Sequence, residues 1–288
     1  MGLFRRIWPK HQLSDKVAFS FTHFGLVGIF LIELLIVLPR YYEVLSPTYC
    51  FHVLCALFLK IQVFSNMYMM LLGNTTVGRP GLMLPSVLRP GWYYCHICQL
   101  NAPPRSHHCP ICEVCVVKRD HHCMFTGNCV GFFNHRYFVM MCLYLWIGCV
   151  YAFTFNMEYY GEILGEFEVY LLAKLFFPML AWTLGFATGY QLFILIVCGV
   201  TCMAMFLFTC LLCFQIYFIS RGQTQFECRK KVREYNNGFA ENWLLVLGKS
   251  WHLTFLSAFF QSDLPGDGTS FIRSDIDMSP LSEDAKVL

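Results

Sequence analysis

The chain has 288 residues, of which 57% are hydrophobic and 14% charged. That is too apolar for an ordinary soluble domain and points to lipid as the solvent. A net charge of +3 gives no ground for a nucleic-acid partner, and sixteen cysteines, seven of them crowded between Cys95 and Cys129, argue against a small secreted disulfide scaffold.

Residues 1–16 carry Arg5, Arg6, Lys10 and Lys16 and read as a cytosolic N-terminus, because basic residues mark the cytoplasmic flank of a span. Met1-Gly2 hints at myristoylation, but Arg6 stands where Ser or Thr is needed. The first span is expected at Val17–Leu38, whose 22 residues reach ~33 Å, enough to cross a bilayer and too long for a cleaved signal. The second follows at Tyr49–Gly73, so residues 17–73 hold spans one and two. Glu33 and Lys60 are costly inside a membrane and are expected to pair with each other. Residues 74–136 contain Arg79, Arg89, Arg105, Lys118, Arg119 and Arg136 and read as a cytosolic loop.

The third span is expected at Tyr137–Met157, followed by an acidic lumenal loop with Glu158, Glu162, Glu166 and Glu168. Leu175–Ser220 lacks any Asp, Glu, Lys or Arg and has room for two helices. Parity with the basic stretch Arg221 to Arg233 leaves one, near Gln191–Ile219. Tyr170–Gly189 then becomes a lumenal helix lying on or dipping into the membrane, within a unit 137–220 that holds spans three and four. Residues 221–262 read as a cytosolic segment with an interfacial helix over Trp243–Phe260, and polar residues 263–288 as a disordered tail.

The loop's chemistry is concentrated in Cys95-x2-Cys98, His108-Cys109-x2-Cys112-x2-Cys115 and Asp120-His121-His122-Cys123-x5-Cys129. Paired cysteines two residues apart let both sulfurs reach one zinc, and two tetrahedral sites fit this supply with Cys and His left over. The stretch shows no sustained helical or alternating pattern. Metal has to hold it, and structural zinc supplies on the order of 10–16 kcal/mol in small fingers.

Through Asn134 and Phe138 this run resembles the cysteine-rich domain of the DHHC protein S-acyltransferases, the palmitoyltransferase family, at every spacing. The resemblance implies an all-α polytopic membrane protein with four transmembrane helices and a cytosolic two-zinc domain between helices 2 and 3. It implies one zinc on Cys95, Cys98, His108 and Cys115 and another on Cys109, Cys112, His122 and Cys129. Asp120, His121 and Cys123 remain for catalysis, with His121 as the base that activates the thiol and Asp120 as the group that orients the imidazole. The implied reaction moves a long-chain acyl group from acyl-CoA to Cys123 and then to a cytosolic-face cysteine of a client protein, among membrane lipids, in the endoplasmic reticulum or Golgi. Lys118, Arg119 and Arg136 are candidates for the CoA phosphates.

Several residues depart from the family pattern. Met124-Phe125 replaces Pro-Trp after Cys123, Asn74-Thr75-Thr76 stands where Asp-Pro-Gly is usual, and Thr224-Gln225-Phe226-Glu227 matches Thr-Thr-x-Glu in part. The second threonine of that motif is expected to contact the catalytic aspartate, so either Gln225 takes its place or the contact is lost. Asn242, followed by Trp243, is expected to order local backbone. These departures, with Leu264 to Gly268, resemble one subgroup of the family. A catalytically inactive membrane zinc module of the same fold is the competing reading.

Overall fold

The computed structural model describes residues 12–165 and 168–273. Four helices are long and apolar enough to cross a membrane. Helix α1 (Leu13–Tyr41) contains a π-helical stretch at Glu33–Val37. Helix α2 (Pro47–Leu72) starts where the Ser46 side chain accepts the Tyr49 N–H at 3.2 Å, with Pro47 in the first turn where its missing N–H costs nothing. Helix α3 (His135–Leu164) runs 30 residues and α6 (Gly189–Ser220) 32, so each is ~45 Å long and extends beyond a ~30 Å hydrocarbon slab. A Thr188/Gln191 capping box opens α6.

Between α3 and α6 lie the short helices α4 (Val169–Phe176) and α5 (Pro178–Thr183), both packed on α6. They fall in the stretch expected as one lumenal helix, and Pro178 marks the break. Helix α3 is the hub, packed against α2 and α6. Its first third is buried almost throughout, from His135 to Leu145, because the loop preceding it and the C-terminal segment close around that end.

The loop between α2 and α3 forms three antiparallel hairpins: β1 (Tyr93–Cys95) with β2 (Leu100–Ala102), β3 (His107–Cys109) with β4 (Val114–Val116), and β5 (His121–Cys123) with β6 (Asn128–Val130). Each hairpin turns through a left-handed residue at the same place, Gln99, Glu113 and Gly127. Asn74-Thr75-Thr76 seals the assembly to the end of α2. The Asn74 Oδ1 accepts the Thr76 N–H at 3.0 Å, while the Thr75 carbonyl accepts the Val117 N–H at 2.9 Å.

After α6 come α7 (Gln225–Arg229), α8 (Phe239–Leu247) and α9 (Trp251–Thr254). The single interfacial helix expected over Trp243–Phe260 is corrected to two short ones. Gly248 separates them at φ +83°, and a Cβ there would lie 2.4 Å from the Ser262 Oγ, so the chain cannot continue as helix. The disordered tail is likewise corrected for residues 263–273. Gly268 fits against Val117 and Phe132, and the Phe271 ring meets Phe132 edge-on at 5.8 Å. The rest of that expected tail, 274–288, and residues 1–11 of the expected N-terminus lie outside the described residues. The expected Glu33–Lys60 pair is not formed: Glu33 accepts from Asn156, and the Lys60 ammonium sits 3.9 Å over the Phe30 ring.

Candidate active site

The hairpins repeat every fourteen residues. Tyr94-Cys95-x2-Cys98-Gln99 becomes His108-Cys109-x2-Cys112-Glu113 and then His122-Cys123-x2-Thr126-Gly127. Cys123 therefore occupies the place that Cys95 and Cys109 hold in the first two hairpins, but its second knuckle cysteine is replaced by Thr126. Two ligand groups gather across this ladder, Cys95/Cys98/His108/Cys115 and Cys109/Cys112/His122/Cys129, each with its ligand atoms within 4.8 Å of one another. In the first, the Cys98 Sγ lies 3.2 Å from the His108 Nδ1. In the second, the His122 Nδ1 lies 3.3, 3.7 and 3.9 Å from the sulfurs of Cys112, Cys129 and Cys109. Tetrahedral zinc with Zn–S ~2.3 Å and Zn–N ~2.0 Å spaces its ligands roughly 3.5–3.8 Å apart, so both groups fit the ion. Neither includes Cys123.

Asp120 is 2% exposed, and each of its oxygens has a partner. The Oδ2 atom lies 2.8 Å from the His121 Nδ1 and accepts from the Gln215 Nε2 at 3.2 Å. The Oδ1 atom accepts the main-chain N–H of Gln225 at 2.7 Å. The contact expected of the motif's second threonine is thus made by backbone, independent of the side chain at 225. Burial works to raise the Asp120 carboxyl, but the hydrogen bond to His121, the nearby imidazoles and the Gln225 N–H outweigh it and hold the group well below the usual carboxylate range.

With Nδ1 engaged by Asp120, the His121 ring is also coupled to the Cys123 thiol two residues on. Burial alone would lower the imidazole. Hydrogen bonds to Asp120 and Cys123, and their charges, win and raise it to about 9. Burial would likewise raise the Cys123 thiol, yet the bond and charge of His121 and two hydrogen bonds from Thr126 bring it down. The two shifts share one cause, a mutual coupling of thiol and imidazole that favours the charged form of each.

Cys123 is 4% exposed to solvent and joins the core formed by Met67, Met70, Phe138, Met141 and Cys142. It also lines a cavity of about 870 Å³ among the spans, within the size range of small-molecule sites. On α2 the lining extends from Met67 back to His52, fifteen residues or ~22 Å. Phe21, Leu26, Leu59 and Phe125 make it apolar, a shape and polarity suited to one long hydrocarbon chain.

The remaining expected residues are accounted for as follows. Thr224 caps α7 in a box with Glu227, whose carboxylate grips Arg105 through Nε at 2.6 Å and Nη2 at 2.7 Å. Asn242 orders the backbone after α6, donating to the Ser220 carbonyl at 3.1 Å and accepting the Asn237 N–H. Of the three basic candidates for CoA phosphates, Lys118 is 4% exposed. Burial first, then Arg105, pull its ammonium down to about 7, so it does not face a solvated phosphate. Arg136 donates to the Ser262 carbonyl at 2.6 Å, and the Arg119 guanidinium lies 5.5 Å from the Phe226 ring.

Two residues that complete the site, Arg105 and Gln215, were not singled out by sequence reasoning. Gln215 also accepts from the His135 Nε2 at 2.8 Å. Its signal was one of two amides, with Gln191, in a run free of charged side chains. Arg105 carried a signal only as one of the loop's basic residues.

Comparison with known proteins agrees with this geometry. Residues 89–232 match the family model described as DHHC palmitoyltransferase. The chain is 40% identical over 186 residues to "Probable palmitoyltransferase ZDHHC24" of Danio rerio, covering 64% of this chain and 63% of that protein. It is 32% identical over 218 residues to the Rattus norvegicus protein of the same description, covering 73% and 74%. It is 26% identical over 264 residues to "Palmitoyltransferase ZDHHC22" of Danio rerio, covering 85% and 90%. The hairpin ladder, the thiol left outside both ligand groups and the matched segment agree: the chain belongs to the DHHC palmitoyltransferase family, in its ZDHHC24-like subgroup.

Proposed function

We propose that this chain is an integral-membrane protein S-acyltransferase that carries a long-chain acyl group on Cys123 between acyl-CoA and a cysteine of a client protein. The observation that carries the reading is a cysteine outside both ligand groups, beside the Asp120–His121 hydrogen bond and at the wall of an apolar cavity. The Cys123 thiolate attacks the acyl-CoA carbonyl, a new C–S bond forms, and the bond to CoA sulfur breaks. The imidazolium proton of His121 goes to the departing CoA thiolate. In the second half, neutral His121 takes the proton of the client thiol, whose sulfur attacks the Cys123 thioester and restores the starting thiolate and imidazolium. Both halves exchange one thioester for another, so no oxidant or further reactant is required.

Zinc held by Cys95, Cys98, His108 and Cys115, and by Cys109, Cys112, His122 and Cys129, supplies structure, clamping three-residue strands that have little core of their own. Asp120, with Gln225 and Gln215 behind it, fixes the tautomer and direction of His121. The acyl chain stays in the cavity, where each methylene kept from water contributes roughly 0.8 kcal/mol. The basic residues of 74–136 and 221–233 support a cytosolic face for the site, and family resemblance supports an endoplasmic reticulum or Golgi membrane.

Incubation of the purified protein with labelled palmitoyl-CoA tests the reading. A hydroxylamine-sensitive label on the wild type that is absent from Cys123→Ser is expected, and an unlabelled wild type refutes it.

A further inference from the structure

We propose that Asp15 is a positioning residue for the second zinc site, latching the first span to the hairpin that carries Cys123. The inference rests on the zinc reading of Cys109, Cys112, His122 and Cys129. Within that group His122 presents Nδ1 to the three sulfurs, which leaves Nε2 pointing out of the cluster. There it meets the Asp15 Oδ2 at 3.1 Å, across 107 residues of chain. A histidine that ligates metal through one nitrogen is oriented by whatever receives the proton of the other. A carboxylate in that place fixes the tautomer and makes the ligating nitrogen a better donor.

The burial of α1 supplies a second, independent observation. Over Leu13–Ile32, a stretch of 20 residues, only Asp15 and Phe19 are buried. The other side chains of that stretch are exposed or half-buried, so its two buried anchors both lie near this end. An aspartate only 2% exposed is costly unless its charge is paired, and His122 is the pair. The same helix supplies Phe21, Thr22, Gly25 and Leu26 to the cavity wall, and Cys123 follows His122 in sequence. One hydrogen bond therefore sets the cavity wall, the metal ligand and the nucleophile in register.

Full-length wild type, Asp15→Asn, Asp15→Ala and Asp15→Glu are to be compared for zinc content by elemental analysis, and for zinc transfer to the chromogenic chelator 4-(2-pyridylazo)resorcinol. The wild type is expected to hold two zinc ions. In Asp15→Ala and Asp15→Asn one of them should transfer about 10-fold faster. Alkylation should then find Cys109, Cys112 and Cys129 newly reactive while Cys95, Cys98 and Cys115 stay protected. Asp15→Glu, which keeps the carboxylate, should release zinc more slowly than Asp15→Ala. Unchanged release in Asp15→Asn and Asp15→Ala from a wild type with two zinc ions overturns the inference alone, as does equal loosening of both sites. A wild type without zinc at His122 overturns the inference together with the metal reading. Should the variants fold poorly, the unmutated chain answers the question, because the coupling is reciprocal. Stripping its zinc should speed hydrogen exchange in residues 13–19, and unaltered exchange there overturns the latch.

Discussion

Gln225→Pro isolates a single hydrogen bond at the reaction centre. Position 225 opens α7, and the preceding Thr224 has φ −95° and ψ 163°, the extended conformation that a residue before proline prefers. Proline is well tolerated in a first helical turn, since the N–H it lacks has no partner inside the helix. Here that N–H instead donates to the Asp120 Oδ1 at 2.7 Å, while the other two bonds to the carboxylate fall on Oδ2. Proline thus removes the Oδ1 bond and leaves the cap intact. A hydrogen bond to a charged group contributes about 1.5–3 kcal/mol, so single-turnover acylation of Cys123 from labelled palmitoyl-CoA should slow about ten- to a hundredfold. Gln225→Ala keeps the N–H and should load at the wild-type rate. Thermal unfolding verifies that both variants are folded. A folded Gln225→Pro that loads normally, or a Gln225→Ala as slow as Gln225→Pro, would refute the argument.

Asp120→Asn removes the charge that helps raise His121 to about 9. Burial should then push the imidazole below its ordinary value of 6.5. A raised histidine keeps its proton up to about 9, so wild-type loading should be flat through neutral pH. The variant should be slow at pH 7 and climb about tenfold per pH unit, and a pH–rate profile superimposable on wild type would contradict this. Arg105→Ala strands the Glu227 carboxylate, whose side chain is 3% exposed, and should cost about 3–5 kcal/mol in denaturant or thermal unfolding. Arg105→Lys should recover little, because an ammonium cannot make both guanidinium contacts. His122→Ala should leave one zinc per chain and His121→Ala two by elemental analysis, and the reverse pattern would exchange the roles proposed for the neighbouring histidines.

Much of this site was legible in sequence, through two local signals. Long apolar runs put four spans in place, though α1 and α3 extend beyond the expected Val17–Leu38 and Tyr137–Met157. Ligand spacing called for two metal sites with Cys and His to spare, and the family resemblance divided the ligands into the two groups that the structure gathers, with Cys123 outside them. The fourteen-residue ladder was a third signal, present but unread. Comparing Cys95, Cys109 and Cys123 by position would have revealed three hairpins in a loop with no alternating pattern, since three-residue strands are too short to show one.

By itself, then, the amino-acid order determined the lipid environment, the spans and the identity of the chemical groups, because hydropathy and two-residue knuckle spacing act between near neighbours. Only tertiary packing decided who stands behind them. Gln215 reaches Asp120 across 95 residues, Gln225 across 105 and Glu227 reaches Arg105 across 122. No periodicity encodes such meetings, which exist only once α6 and α7 pack against the hairpins. The same packing ordered residues 263–273 against Val117 and Phe132, where polar composition had suggested a free tail. A buried polar group must find a partner wherever the fold brings one, and the chain alone does not say which one that will be.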